Sequence, residues 1–276
     1  MEEQDVFKRL NKLGFTTEGK KKAPKIFIFD VETAPMRAYV WKRYKENISL
    51  PQTISESFML CWSGKFLGDD EVFGECLTPA EVASGDDKRI VTALRNCLDD
   101  SDLVIAYNGR TFDVPVTNTR CLVNHIPPYK PFQLIDPYVD AKKTFRFSSN
   151  SMDEIATMLG LDNKLSTDFM LWRRCMEGDQ EALDYMFKYN KKDVLVLEDI
   201  FIEMRPWLKT PSLCSYFDEG SRCVACGSDD FIKLEGRFFY TPFGKYQLYR
   251  CKDCGKIFRD NVNLNRKKIP FIYCTH

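Results

Sequence analysis

Four carboxylates, carried in a fixed order by three short motifs, constrain this 276-residue chain more than any other feature. Asp30 and Glu32 stand in Phe-Asp-Val-Glu-Thr, Asp113 in Tyr-Asn-Gly-Arg-Thr-Phe-Asp-Val-Pro, and Asp193 in Tyr-Asn-Lys-Lys-Asp, which opens on Tyr189. Converging carboxylates destabilise a fold, because like charges repel and burial raises their pKa. They make sense around divalent cations, and the natural chemistry of a two-metal carboxylate site is in-line phosphoryl transfer. Each motif alone reads as a strand end or a helix-surface pair. Three in order, each on a suitable element, indicate a metal-dependent nuclease.

The elements follow from apolar patterning. Lys25 to Phe29 is a β-prone run that delivers Asp30 at its end, and it reads as a central strand buried on both faces. In extended backbone Asp30 and Glu32 leave the same face, as at the C-terminal edge of a parallel sheet. Residues 58–62 and 71–77 read as a hairpin. Thr78-Pro79-Ala80-Glu81 opens a helix with a capping box, and Ile90, Val91, Leu94 and Leu98 carry helical spacing beyond it. Residues 102–107 form a second apolar strand that ends at the turn signal Asn108-Gly109. Val114 to Ile126 reads as a helix, Phe132 to Asp136 as a short strand, and Ser151 as the cap of a further helix. A long helix from about Gln180 to about Trp207 places Tyr189 and Asp193 on one face, four residues apart. Strand, hairpin, helix, strand, helix, strand and helices describe an α/β domain with a mixed five-stranded sheet and flanking helices.

At these residues the chain resembles the DEDDy group of 3′–5′ exonucleases, with their ribonuclease H-like fold, and in particular the proofreading domains of family B DNA polymerases. Phe-Asp-Val-Glu-Thr, Tyr-Asn-Gly-x-x-Phe-Asp-x-Pro and Tyr-x-x-x-Asp match the three motifs, and the likeness covers about residues 25–207. The resemblance implies that Asp30, Glu32 and Asp193 bind the metal that activates water. Asp30 would bridge to a second metal held by Asp113 through water, and Tyr189 would position the nucleophile. Asn108 and Phe112 would contact the terminal nucleotide, and Thr33 would touch it through its backbone. Hard oxygen ligands and a phosphate substrate favour two Mg²⁺ or Mn²⁺ ions. The implied activity is removal of mononucleotides from 3′ ends of single-stranded DNA or RNA, DNA favoured. The rival readings are a structure-specific endonuclease or ribonuclease on the same fold, and a non-catalytic nucleic-acid-binding replication factor.

Thr210-Pro211-Ser212 marks a boundary, dividing a polar extension (1–24) and a nuclease domain (25–210) from a Cys-rich tail (211–276). In the tail, Cys223-x-x-Cys226 and Cys251-x-x-Cys254 form two knuckles suited to one closed tetrahedral zinc site, with Phe231–Leu234 and Tyr246–Tyr249 as hairpin strands. The pattern is that of a small β zinc ribbon, and its metal is structural because four thiolates leave no open position. From Ser221 on there are eleven basic and five acidic side chains interleaved with aromatics, which suits single-strand binding or docking on a protein. The whole arrangement resembles stand-alone phage-encoded nucleases, with a DNA polymerase or other replication protein as a further partner.

The formal net charge is zero, so a polyanion surface has to come from local charge segregation. No apolar run approaches the roughly 20 residues of a membrane span, and the acidic start is not a secretory signal. With scattered single cysteines these features lead us to expect a reducing cytoplasm (the host's, if the protein is phage-encoded) and no membrane partner.

Overall fold

The computed structural model describes residues 24–44, 46–161, 165, 167–209, 211–217 and 220–265. Residues 1–23 of the expected polar extension lie outside them. The chain divides into two compact units, Pro24–Met204 and a second that takes in the residues from Arg205 on.

The first unit is built on β1 (Ile26–Thr33). A two-stranded arm follows, β2 (Arg37–Ala38) with β3 (Thr53–Ser55), and then β4 (Met59–Phe66), β5 (Phe73–Cys76), β6 (Leu103–Ile105) and β7 (Gln133–Ile135). The main sheet runs β5-β4-β1-β6-β7. β1 is antiparallel to β4 and parallel to β6, so the sheet is mixed as expected. The expected strand over Lys25–Phe29 is longer in the structure. Asp30 and Glu32 lie inside β1, still paired to Ser63 and Cys61 of β4, rather than after its end.

Alternation sorts β1 into two faces. Phe27, Phe29 and Val31 enter the main core with Trp62, whose indole Nε1–H donates to the Ile90 carbonyl at 2.8 Å. Ile28, Asp30 and Glu32 face the other way, toward the helix Gln180–Met204. That helix is tied to β4 by an ion pair of 2.6 Å between Lys65 and Glu198, both nearly inaccessible. A buried pair of this kind is costly to break from one side, since the partner is left charged and unpaired. The helix therefore keeps a defined register over the sheet.

Two expectations need correction. The helical stretch after Thr78 is two helices, Pro79–Ser84 and Lys88–Asp99, because Gly85 turns left-handed at φ 68°. The long helix stops at Met204 and does not reach Trp207, because Pro206 disfavours helical backbone at Arg205 and lacks the N–H the ladder needs.

Asp87 holds the core side together. Fully buried, it accepts from Met59 N at 2.8 Å, from Arg120 Nε at 2.6 Å and from Asn124 Nδ2 at 2.7 Å. It precedes the helix Lys88–Asp99 yet makes no side-chain cap, since its oxygens join β4 to the helix Asp113–Val123 instead.

The second unit carries β8 (Phe231–Thr241), β9 (Gly244–Cys251) and β10 (Ile257–Arg259), a three-stranded antiparallel sheet in the order β10-β9-β8. The expected hairpin pairs Phe231 with Cys251 and Thr241 with Gly244. Phe231, Tyr249 and Phe258 cluster on one face with ring centroids 5.4 to 6.1 Å apart. Among the described residues no helix is long and apolar enough to cross a membrane.

Candidate active site

Asp30, Glu32 and Asp193 converge, with one carboxylate oxygen of each lying within 4.8 Å of the others. β1 supplies two by strand alternation, and the long helix supplies the third from the facing layer. Asp193 is 3% exposed. Three carboxylates at this spacing and partly withdrawn from water fit a small, hard divalent cation, which takes oxygen ligands at about 2.1 Å.

Asn190 completes this set, and sequence reasoning missed it. Its side chain is fully buried and its Nδ2 donates to Asp30 Oδ2 at 2.7 Å. One oxygen of Asp30 is thereby held in place. The signal was legible in principle, because Asn190 stands three residues before Asp193 and so shares its helix face. Second partners of metal-binding carboxylates typically contribute 10- to 100-fold to affinity or activity. Asn190→Ala is therefore expected to weaken Mn²⁺ binding about 10- to 100-fold with little change in fold. Calorimetric titration with Mn²⁺ checks this, and an unchanged affinity would remove Asn190 from the site.

Asp113 is placed differently. β6 pairs with β1 only as far as Ile28, so the later residues of β1 lack a strand partner on that side. Asp113, in the first turn of its helix, takes the vacant role and accepts from Val31 N at 3.1 Å. Val31 sits between Asp30 and Glu32, so Asp113 braces the strand that carries both. It is not part of the group of three within 4.8 Å. Its Oδ2 is buried without a hydrogen-bond partner, and burial pushes the carboxyl up to about 7. A buried carboxyl with one orphaned oxygen fits a cation or a metal-held water as its missing partner.

The candidate substrate contacts surround these groups. Thr33 is the last residue of β1 and half-buried. Asn108 adopts φ 58° in the turn after β6, a conformation asparagine tolerates better than most residues. Asp136, to which the sequence assigns no role beyond ending a short strand, fixes that turn: its carboxylate accepts from Asn108 N at 2.9 Å and Arg110 N at 3.1 Å. Phe112, immediately before Asp113, leaves a large aromatic face 41% exposed. Tyr189 is only 7% exposed and lies one turn before Asp193. Cys61, directly opposite Glu32 on β4, is raised by burial and by its neighbour Cys76, so it remains a neutral thiol beneath the acidic group.

In the second unit Cys223, Cys226, Cys251 and Cys254 bring their sulfurs within 4.8 Å of one another. Cys223–Cys254 and Cys226–Cys251 are each 3.6 Å apart. A disulfide would require about 2.05 Å. The edge of a tetrahedron with Zn–S bonds of about 2.3 Å is about 3.8 Å, close to what is seen. Donors from Cys223 and Cys226 draw Cys254 down toward thiolate. A small antiparallel sheet with such a cluster fits a zinc ribbon.

The comparison with family models agrees with this architecture. Residues 73–205 match the RNase_H superfamily (RNase_H_2). The match spans just under half of the chain and includes Asn108, Phe112, Asp113, Tyr189 and Asp193, while β1 with Asp30 and Glu32 lies before it. No curated protein matches the chain. Among solved structures, the family B DNA polymerase of the hyperthermophilic archaeon Pyrobaculum calidifontis is similar at 13% identity and a TM-score of 0.48, covering 82% of this chain and 32% of the polymerase. The chain thus spans about a third of that protein. The mixed five-stranded sheet with flanking helices is a ribonuclease H-like fold.

Proposed function

We propose that this protein is a two-metal-ion 3′–5′ exonuclease of the DEDDy type, which hydrolyses phosphodiester bonds at 3′ ends of single-stranded nucleic acid, with DNA preferred. A ribonuclease H-like fold supports nuclease activity in general. The observation that carries the finer reading is the convergence of Asp30, Glu32 and Asp193, with Tyr189 one helical turn from Asp193.

In this reading Asp30, Glu32 and Asp193 hold Mg²⁺ or Mn²⁺, with Asn190 locking Asp30. Asp113 braces β1 and offers its orphaned Oδ2 toward a second ion through water. Such ions supply a nucleophilic water near neutral pH and neutralise charge on the leaving 3′-oxygen. Tyr189 donates or accepts a hydrogen bond that aims the attacking water. Phe112 stacks on the terminal base without reading it, while Asn108 and Thr33 contact the terminal nucleotide. The domain carrying this chemistry spans 25–210, and the ribbon from 211 on holds one structural zinc and helps retain substrate or a replication partner.

The test is a gel assay on 5′-labelled single-stranded DNA and RNA with Mg²⁺, Mn²⁺ or a chelator. A metal-dependent ladder shortening from the 3′ end, with mononucleotide products, is the expected result, faster on DNA. Internal cuts that release oligonucleotides would assign an endonuclease instead. Binding with no cleavage of either strand would overturn the catalytic reading.

A further inference from the structure

Soluble proteins bury their large aromatic side chains, because these contribute most to the core. The arm after β1 does the opposite. Tyr39 is 74% exposed, Trp41 95% and Tyr44 81%. Three bare rings within six residues are not the scattered apolar exposure that surfaces ordinarily show.

The backbone that presents them is built. β2 pairs with β3, and Tyr39 N donates to the Gln52 carbonyl at 2.9 Å. The Glu46 carboxylate accepts from Trp41 N at 3.1 Å and Lys42 N at 2.9 Å, which closes a turn that points the rings outward. Gln52 Nε2 braces the same turn, donating to the Tyr39 carbonyl at 3.1 Å and to Glu46 at 3.3 Å. The acidic side chain is thus used internally. Arg37, Lys42 and Arg43 are exposed and enter no ion pair among the described residues. Across residues 37–48 the sequence has four basic residues and one acidic one.

Position sets the partner. Arg37 follows Thr33, the end of the strand bearing Asp30 and Glu32, by four residues, a reach of at most about 14 Å. We propose that the arm 37–44 is a clamp for the single-stranded substrate. Tyr39, Trp41 and Tyr44 stack on bases upstream of the 3′ end, and Arg37, Lys42 and Arg43 contact the phosphates between them. This rests on the exonuclease reading above. Unpaired bases expose faces that any ring can stack on, and every nucleotide brings one negative charge, so alternating rings and cations match a single strand in both respects. A duplex hides those faces.

The experiment uses full-length protein. Strand binding is read by anisotropy of a fluorescent 20-nucleotide DNA in an Asp193→Ala background, with and without Trp41→Ala/Tyr44→Ala. Each stacked ring lost is expected to weaken binding about tenfold. Lys42→Ala/Arg43→Ala is expected to lower the slope of log affinity against log salt by about 1.4, at about 0.7 per phosphate contact on a single strand. With Asp193 intact, the arm variants should still hydrolyse a mononucleotide p-nitrophenyl ester at the parent rate, since that substrate ends before the arm. All these side chains are exposed, so unchanged circular dichroism and melting are the folding control. Unchanged 20-nucleotide affinity and salt slope would overturn the clamp and leave the rings to a protein partner; so would equal loss on the small ester. If the unmodified enzyme cleaves neither ester nor strand, the exonuclease reading fails separately, while the binding comparison still decides the clamp.

Discussion

Changing Asp30 to asparagine is expected to slow 3′-terminal hydrolysis by about a thousandfold or more while leaving the metal-free protein as stable as its parent, or more so. The two effects share one cause. Asp30, Glu32 and Asp193 hold negative oxygens within 4.8 Å of one another, at the end of a strand buried among apolar side chains. Without a cation that arrangement is repulsive, and removing one charge relieves it. With a cation the lost charge is a lost ligand. Asparagine keeps the shape of the side chain and still offers Asn190 an acceptor, so the hydrogen bond of 2.7 Å can persist. Loss of a single preorganised electrostatic group in an active site typically costs 10²- to 10³-fold, and a shared metal ligand should lie at or beyond the top of that range. Single-turnover cleavage of a labelled strand, paired with thermal melting in chelator, measures both quantities. A few-fold rate loss would take Asp30 out of the chemistry. A large fall in melting temperature would mean that it is structural.

The second large effect lies in the ribbon. Stripping the zinc proposed for the four cysteines, or changing Cys226 to serine, is expected to unfold the residues around β8–β10 and leave the sheet of the first unit intact. Among the described residues from Ser212 on, the buried apolar side chains are Leu213 and Ala225 beside Cys223, Cys226 and Cys251, while Phe231, Tyr249 and Phe258 are only half-buried. A segment of this size does not fold on burial alone. Structural zinc contributes an apparent 10–16 kcal/mol in small Cys-rich modules near pH 7, roughly the whole stability of such a unit. The first unit has its own core around Phe27, Phe29, Trp62 and Leu94 and does not need that ion. Native mass spectrometry should find one zinc per chain, lost on chelation. Amide exchange should show protection disappearing from β8 and β9 while β1 and β4 keep theirs. A zinc-free protein with a protected ribbon would overturn the assignment.

Local pattern made much of this legible. A run of β-prone apolar residues has one stable environment, a strand covered on both sides, so the central position of β1 follows from Ile26 to Phe29. Three- and four-residue spacing from Leu183 to Phe201 leaves only a helix with one buried stripe, and that puts Tyr189 and Asp193 on one face. Two Cys-x-x-Cys knuckles flanking a hairpin bring their sulfurs together because the turns permit little else. The pairing of the carboxylates was readable because strand alternation and helix periodicity each fix direction within an element.

What sequence could not show is which elements meet. Asn190, Asp136 and Asp87 are unremarkable along the chain, and each acquires its role from a partner tens of residues away. The Asp113 carboxylate is recognisable along the chain, but its bond to Val31 N follows from where β6 stops pairing with β1. The exposed rings of the arm are the sharpest case. Tyr39, Trp41 and Tyr44 are large aromatic residues of the kind that usually enter a core, and the structure leaves them exposed on a turn braced by Glu46 and Gln52. Periodicity and spacing are one-dimensional properties of backbone geometry, so the sequence by itself determined the five main-sheet strands, the long helix and the residues that make up the acidic trio and the cysteine cluster. Long-range contact depends on how those elements pack, so only the tertiary structure decided which buried polar groups support the site and which aromatic ones leave the core.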